Sequence, residues 1–379
     1  MQNDSRLFSL PRWRVTRWLT DAGHDVPDEI RKALVASLFG TLPIFAGGVL
    51  NTLAVSALVA WRMPQKPFLL WCVLECGICL TRLLVLVIAQ RAAAARRRTP
   101  TDLYILLGLA WAASVGYGTF ISLTSGDWVV ATLACLSAAA MVGGISFRNF
   151  GAPRLAGAMI VLTLGSCCLA APFTGEPLLL ITFLQIPFYL ASMSAAGFRL
   201  NRMLVATMQA ERDHAFRARH DSLTGLLNRA GLADAIAARR DDLAALLYLD
   251  LDGFKAINDT HGHAAGDQLL QAVAERLRTS ARPQDVVARI GGDEFVVLTD
   301  VLAPAALIAF SDRIVAQISV PFALDRARTV QVGVSIGIAL APEHGTDLAG
   351  LLSAADAALY AAKALGKSRS ALAPLRAAA

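Results

Sequence analysis

Six long apolar runs fill most of residues 37–198, and no other feature restricts the fold of this chain so severely. They lie at about 37–60, 68–89, 103–124, 128–147, 155–173 and 177–198. Each is near the ~20 residues that carry a helix across ~30 Å of hydrocarbon. Within a bilayer the backbone must satisfy its own hydrogen bonds, so these runs are expected to be transmembrane helices. Composition agrees, since 55% hydrophobic and 17% charged residues are unlike a soluble chain of 379 residues. From about Gln209 onward the content is that of an ordinary globular domain.

Lys and Arg orient the spans. The first 32 residues hold Arg6, Arg12, Arg14, Arg17, Arg31 and Lys32, and later loops on the same side hold Arg91, Arg96, Arg97, Arg98, Arg148 and Arg154. The alternate loops hold only Arg62 and Lys66. The positive-inside bias puts both termini in the cytoplasm. The net charge of +6 then faces anionic lipid, and nucleic-acid binding is not expected. The Trp- and Arg-rich stretch 7–18 reads either as an interfacial segment or as a plain basic tail.

All six cysteines fall inside spans, so the second half has neither a cysteine nucleophile nor a cysteine-ligated metal. No span contains histidine or lysine, which excludes a bis-histidine haem and a retinal-type Schiff base there. With no series of intramembrane acids, a sensor or anchor is expected rather than a transporter. Glu75 and Arg82, seven apart on the second span, are the exceptions; either they neutralise one another or they serve a ligand or signal.

Residues 199–220 read as a polar linker helix with a weak apolar stripe at Leu200, Met203, Leu204, Thr207 and Met208, suited to packing in a dimer or to a single amphipathic helix. In "HDSLTGLLNRAGL", Asp221 or Ser222 is expected to cap a helix running to about Arg239. A buried strand over 243–252 ends on Asp250 and Asp252, carboxylates that need a compensating charge such as a divalent cation. A loop with a short helical turn leads into a helix over 264–279. Strands over 286–290 and 295–299 flank Gly291 and Gly292 as a hairpin, and a helix near 304–319, a strand within 328–340 and a helix over 347–364 follow. That order, α-β-α-β-β-α-β-α, makes an antiparallel α+β unit.

"DSLTGLLNR", "DLDGFKAINDTHGHAAGD", "RIGGDEF", "VSIGIA" and "ADAALYAAKALGKS" follow one another with the spacing of the GGDEF family, and residues 215–370 resemble its diguanylate cyclases. The resemblance implies a nucleotide-cyclase or palm-like α+β fold with an antiparallel sheet flanked by helices, here behind an α-helical membrane domain. Together with the apolar runs and the charge pattern it divides the chain into segments 1–32 (basic N-terminal), 33–198 (six spans), 199–220 (linker helix), 221–371 (cyclase) and 372–379 (tail), expected in a bacterial inner membrane.

The implied reaction condenses two GTP into cyclic di-GMP and two pyrophosphates, with two Mg²⁺ (or Mn²⁺) per site held by Asp250, the Leu251 carbonyl, Asp293 and Glu294. Gly291 and Gly292 would let the hairpin backbone approach the nucleotide. Asn258 and Asp267 match the guanine readers, beside Phe254; Lys255, Arg289 and Lys363 match phosphate-contacting positions. Lys367 stands where the family usually has Arg, which keeps the charge but loses the bidentate fork. Asp252 resembles a position of structural role and stays outside the catalytic set. "GKS" at 366–368 is not a P-loop, because Ala361 replaces its first glycine.

Arg282 and Asp285, in "RPQD", match the family's inhibitory site for the product, with Arg313 as a second arm. One pocket per domain and a product made of two nucleotides imply a homodimer. The alternative to an enzyme is a catalytically inactive nucleotide or cyclic di-GMP receptor in the membrane, which the intact Asp250, Asp293 and Glu294 disfavour.

Overall fold

The structure, a computed structural model, describes residues 8–23, 25–40, 42–239, 244–324 and 329–374. Arg6, the expected strand start at Leu243 and the tail beyond Pro374 lie outside them. The chain forms two compact units that part between Ala210 and Glu211.

The first unit is helical: α1 (Arg14–Leu19), α2 (Asp28–Ser37), α3 (Leu42–Arg62), α4 (Lys66–Ala94), α5 (Thr101–Leu123), α6 (Trp128–Arg148), α7 (Pro153–Ala170) and the first part of α8 (Thr182–Arg219). Six helical segments among the described residues are long and apolar enough to cross a membrane. Their outer faces are apolar, with Leu80 68% and Phe188 77% exposed, whereas Glu75 is 0% and Arg82 5% exposed. This inverted polarity suits lipid rather than water as the surrounding solvent. The first span starts later than expected: its expected beginning at 37 falls at the end of α2, a separate helix with Asp28 and Glu29 in its first turn.

The Trp- and Arg-rich stretch is docked, not a loose tail. Asp102, at the start of α5, accepts from the Arg12 and Trp13 N–H groups, and Phe8 stacks on Phe39, which stacks on Tyr104. Part of the linker stripe is likewise used, since Leu204, Val205 and Met208 pack with Ile30 and Leu34 of α2. Leu200 and Met203 stay exposed.

The second unit contains α9 (Arg229–Ala237), β1 (Ala244–Asp252), α10 (Phe254–His261), α11 (His263–Ser280), β2 (Val286–Gly291), β3 (Glu294–Thr299), α12 (Pro304–Ile318), β4 (Phe322–Ala323), β5 (Thr329–Val330), β6 (Gly333–Ala341), α13 (Leu348–Ala364) and β7 (Ser370–Leu372). The main sheet runs β2-β3-β1-β6-β7, and β4 pairs with β5 alone. The sheet is mixed, a correction to the antiparallel expectation: β7 returns after α13 and pairs parallel to β6. A strand–helix–strand return brings the chain back in the same direction, which makes parallel pairing the natural outcome.

Alternation along β1 builds two apolar layers. Ala245, Leu247, Leu249 and Leu251 enter one core with α11 and α12, and Leu246 and Tyr248 enter the other with α13. The cap of α9 is Asn228, whose side chain accepts from Gly231 N–H, and not Asp221 or Ser222. Asp221 instead closes the turn before it, accepting from the Thr224 N–H and hydroxyl. Just beyond that turn, the Leu227 carbonyl accepts from Arg289 N–H at 2.8 Å, so the entry segment lies along β2, the outer strand of the sheet.

Candidate active site

Asp250 ends the apolar run of the central strand, opposite Glu294 of β3 on one side and Ser335 of β6 on the other. By the same alternation it lies on the face that α13 covers. That helix comes close because residue 337 is glycine: a Cβ there would collide with the Ala355 carbonyl and Leu359 N. The close approach brings Lys363 Nζ to 2.7 Å from Asp250 Oδ1.

The hairpin between β2 and β3 brings up the second carboxylate. Gly292 has φ +42°, a left-handed conformation that glycine adopts without strain. Leu251 N–H donates to the Asp293 carbonyl at 3.3 Å and ties the tip to the end of β1. Arg289 Nε and Nη2 donate to the Gly292 carbonyl at 3.0 and 2.8 Å, and Nη1 bonds Asp221 Oδ1 at 2.9 Å. The fork of Arg289 thus braces the turn.

Burial holds the Asp293 carboxyl above its ordinary pKa, and the charges of Asp250 and Glu294 push the same way against Lys363. Three negative charges thus surround one place with a single lysine to offset them. Among the described residues no three His, Cys, Asp or Glu side chains converge tightly enough to hold a metal by themselves. The carboxylates of Asp250 and Asp293 with the Leu251 carbonyl are hard oxygen donors that fit Mg²⁺ or Mn²⁺, which complete their shells with water and phosphate oxygens. Glu294 lies beside Tyr248, whose phenol is raised in pKa by burial and then by that carboxylate. Nothing in the sequence singled out Tyr248 or Gly337.

Directly after β1, Gly253 (φ +84°) opens α10, and Gly262 (φ +83°) separates α10 from α11. The break folds Asn258 onto Gly266, where any Cβ would collide with Asn258 Oδ1 and meet Phe254 Cζ at 3.3 Å. Asp267 is the next residue, exposed near the start of α11, and Lys255 is exposed on α10. Phe254, Asn258 and Asp267 are therefore gathered around one helix junction.

Residues 218–369 match the family described as diguanylate cyclase, GGDEF domain. This half of the chain is a GGDEF domain. It is similar to the bifunctional diguanylate cyclase/cyclic di-GMP phosphodiesterase MucR of Pseudomonas aeruginosa, 43% identical over 175 residues, 45% of this chain and 25% of that protein. It is also similar to diguanylate cyclase TpbB of P. aeruginosa, 47% identical over 158 residues, 39% of this chain and 36% of TpbB. The chain thus spans about a quarter to a third of the length of these relatives. Among solved structures, the isolated GGDEF domain of TpbB shares 44% identity over 41% of this chain and 95% of that one, with a TM-score of 0.38.

In this GGDEF domain Asp252 is fully occupied, accepting from Ser335 Oγ at 2.9 Å and Ser368 N–H at 3.0 Å. Lys367 is exposed on the same turn with φ 62°. Arg282 N–H donates to Asp285 Oδ2 at 2.8 Å, while Asp285 Oδ1 is buried without a partner. Both residues line a cavity of about 380 Å³ together with His220, Leu226 and Arg278. Arg313 is not in its wall; its guanidinium donates to the Ser280 carbonyl and stacks on Phe310. Arg278 and His220 were missed because they stand far apart along the chain, Arg278 in the last turn of α11 and His220 just after the end of α8.

Proposed function

We propose that this chain is a membrane-bound diguanylate cyclase that joins two GTP into cyclic di-GMP and releases two pyrophosphates. The observation that carries the reading is the meeting of Asp250, Asp293 and Lys363 at one end of β1. Each new bond runs from a ribose 3′-oxygen to an α-phosphorus, and the bond from that phosphorus to pyrophosphate breaks. Asp250, Asp293 and the Leu251 carbonyl would hold Mg²⁺, which when bound offsets phosphate charge and makes the 3′-hydroxyl more acidic. Glu294 supports the same place, as a further ligand or as acceptor of the ribose proton. Lys363, with Lys255 and Lys367, supplies charge-assisted bonds to the triphosphate, and Gly291 and Gly292 leave room for it. Asn258 and Asp267 read guanine, whose N1–H and N2–H₂ suit a carboxylate acceptor; adenine would leave that carboxylate unpaired. Arg289 serves in this reading as the brace of the hairpin.

Two domains must face each other, since each binds one nucleotide, so the active form is a homodimer. The Lys and Arg pattern supports six crossings with both termini in the cytoplasm, where GTP is available. The cavity at Arg282 and Asp285 is the proposed seat of the product as inhibitor, with the free Asp285 oxygen as acceptor for a base. The test uses the full chain in lipid nanodiscs with GTP and Mg²⁺, and product measured by chromatography. Cyclic di-GMP is expected from the wild type and none from Asp293→Ala. GTP binding without product in the wild type would instead establish a receptor.

A further inference from the structure

The helical unit encloses a cavity of about 110 Å³, against roughly 10–15 Å³ for one water on the same measure. Its wall is apolar, with Phe45, Ile105, Trp111 and Met159 among the lining, yet two arginines face it. Arg82 is 5% exposed, and its Nε is buried with no hydrogen-bond partner. Its guanidinium lies over the rings of Trp111 and Phe45, at 4.7 and 5.2 Å. The Arg148 guanidinium lies over the same Phe45 ring at 4.9 Å and donates to the Tyr104 hydroxyl.

Glu75 is not in direct contact with this pair. Its oxygens accept from Ser114 Oγ at 2.6 Å and from Cys79 Sγ at 3.7 Å, and among the described residues no ion pair joins it to either arginine. Two arginines and, among the described residues, no acidic side chain line the cavity, so its wall is short of negative charge. Arg82 lies within a span, where unpaired charge is costly, and stacking on aromatic rings recovers only part of the lost hydration.

We propose that this cavity binds a compact organic monoanion, its carboxylate or phosphate head between Arg82 and Arg148 and its apolar body against the surrounding side chains. The apolar wall explains why a bare inorganic ion would not fill the space, and the arginine pair explains why a neutral molecule would not be held. The head could come from a free acid or from an anionic lipid, and the two sources are separable. The inference concerns binding by the helical unit and does not depend on the cyclase reading.

Radiolabelled benzoate serves as the probe, with the full chain in phosphatidylcholine nanodiscs. Saturable binding near one per chain is expected, undiminished by excess benzamide, which has the same shape without the charge. Arg82→Gln and Arg148→Gln should each weaken it about tenfold or more, the size of one charge-assisted bond. Gly48→Leu keeps both arginines but fills the cavity, since a Cβ at Gly48 meets only Met141 Sδ at 3.8 Å, and it should abolish binding. In phosphatidylglycerol nanodiscs, loss of benzoate binding together with a higher melting temperature in the wild type than in Arg82→Gln would identify a lipid head as the anion. Equal competition by benzamide, or benzoate binding unchanged in the arginine and Gly48 variants, would overturn the proposal.

Discussion

Lys363 Nζ stands 2.7 Å from Asp250 Oδ1, joining the last turn of α13 to the end of the central strand. The lysine holds a carboxylate that would otherwise face Asp293 and Glu294 with no cation nearby. In the proposed reaction the same ammonium group would also meet the phosphates of the nucleotide.

Replacing Lys363 by Met should therefore affect substrate more than fold. A fall in kcat/KM for GTP of about 10²-fold is expected, the scale of losing a charge-assisted contact in a partly enclosed site. Steady-state pyrophosphate release measures it. Unchanged kinetics would remove Lys363 from the site.

Gly337 allows α13 to reach that position, so its substitution should act through packing. Gly337→Val drives carbon into the Ala355 carbonyl and Leu359 N, backbone atoms that cannot step aside, and should cost about 1–3 kcal/mol. Gly253→Ala is the comparison: its surroundings are open, and only its φ of +84° is penalised, by about 1 kcal/mol. Urea unfolding of both variants tests the order.

Gly266→Ala should behave in the opposite way. The colliding atom is the free end of Asn258, which can swing aside, so the melting temperature should hardly change. The displaced amide no longer presents itself to guanine, and KM for GTP should rise about tenfold. A variant that melts early but binds GTP normally would contradict the assignment of Asn258.

Asp221 and Arg289 make a pH-dependent brace. Burial raises the Asp221 pKa, but the Thr224 hydroxyl and Arg289 outweigh it, and the net result lies below the ordinary carboxylate value. The unfolded chain therefore takes up the proton first as pH falls. The stabilisation is whole above the unfolded pKa and disappears as pH drops through the folded one. Asp221→Asn should be less stable than wild type at neutral pH by about 1–2 kcal/mol, and the gap should close in acid. A gap of constant size from neutral to acid pH would mean that the charge of Asp221 contributes nothing.

Much of this was legible in the sequence because it depends on local pattern. Apolar runs of membrane length, a buried strand ending on Asp250 and two glycines before Asp293 each follow from spacing alone. The expected single helical turn before α11 proved to be a full helix, α10, because Gly262 breaks the chain after His261 and not before it. The bracing contacts of Arg289 were not legible for a different reason: its partners, Asp221 and the Gly292 carbonyl, are brought together only by the tertiary fold. The parallel β7 was missed because three residues are too few to carry a strand period. The charge imbalance around Arg82 depends on where Ser114 sits, 39 residues away from Glu75, and no reading along the chain reveals it.

The bond from Arg289 N–H to the Leu227 carbonyl has a practical consequence for anyone shortening this protein. β2 borders the sheet, and the short stretch through Leu227 shields part of its open margin. A truncation beginning beyond Leu227 would leave that margin bare, and stripped molecules would be prone to zip together strand against strand into insoluble polymer.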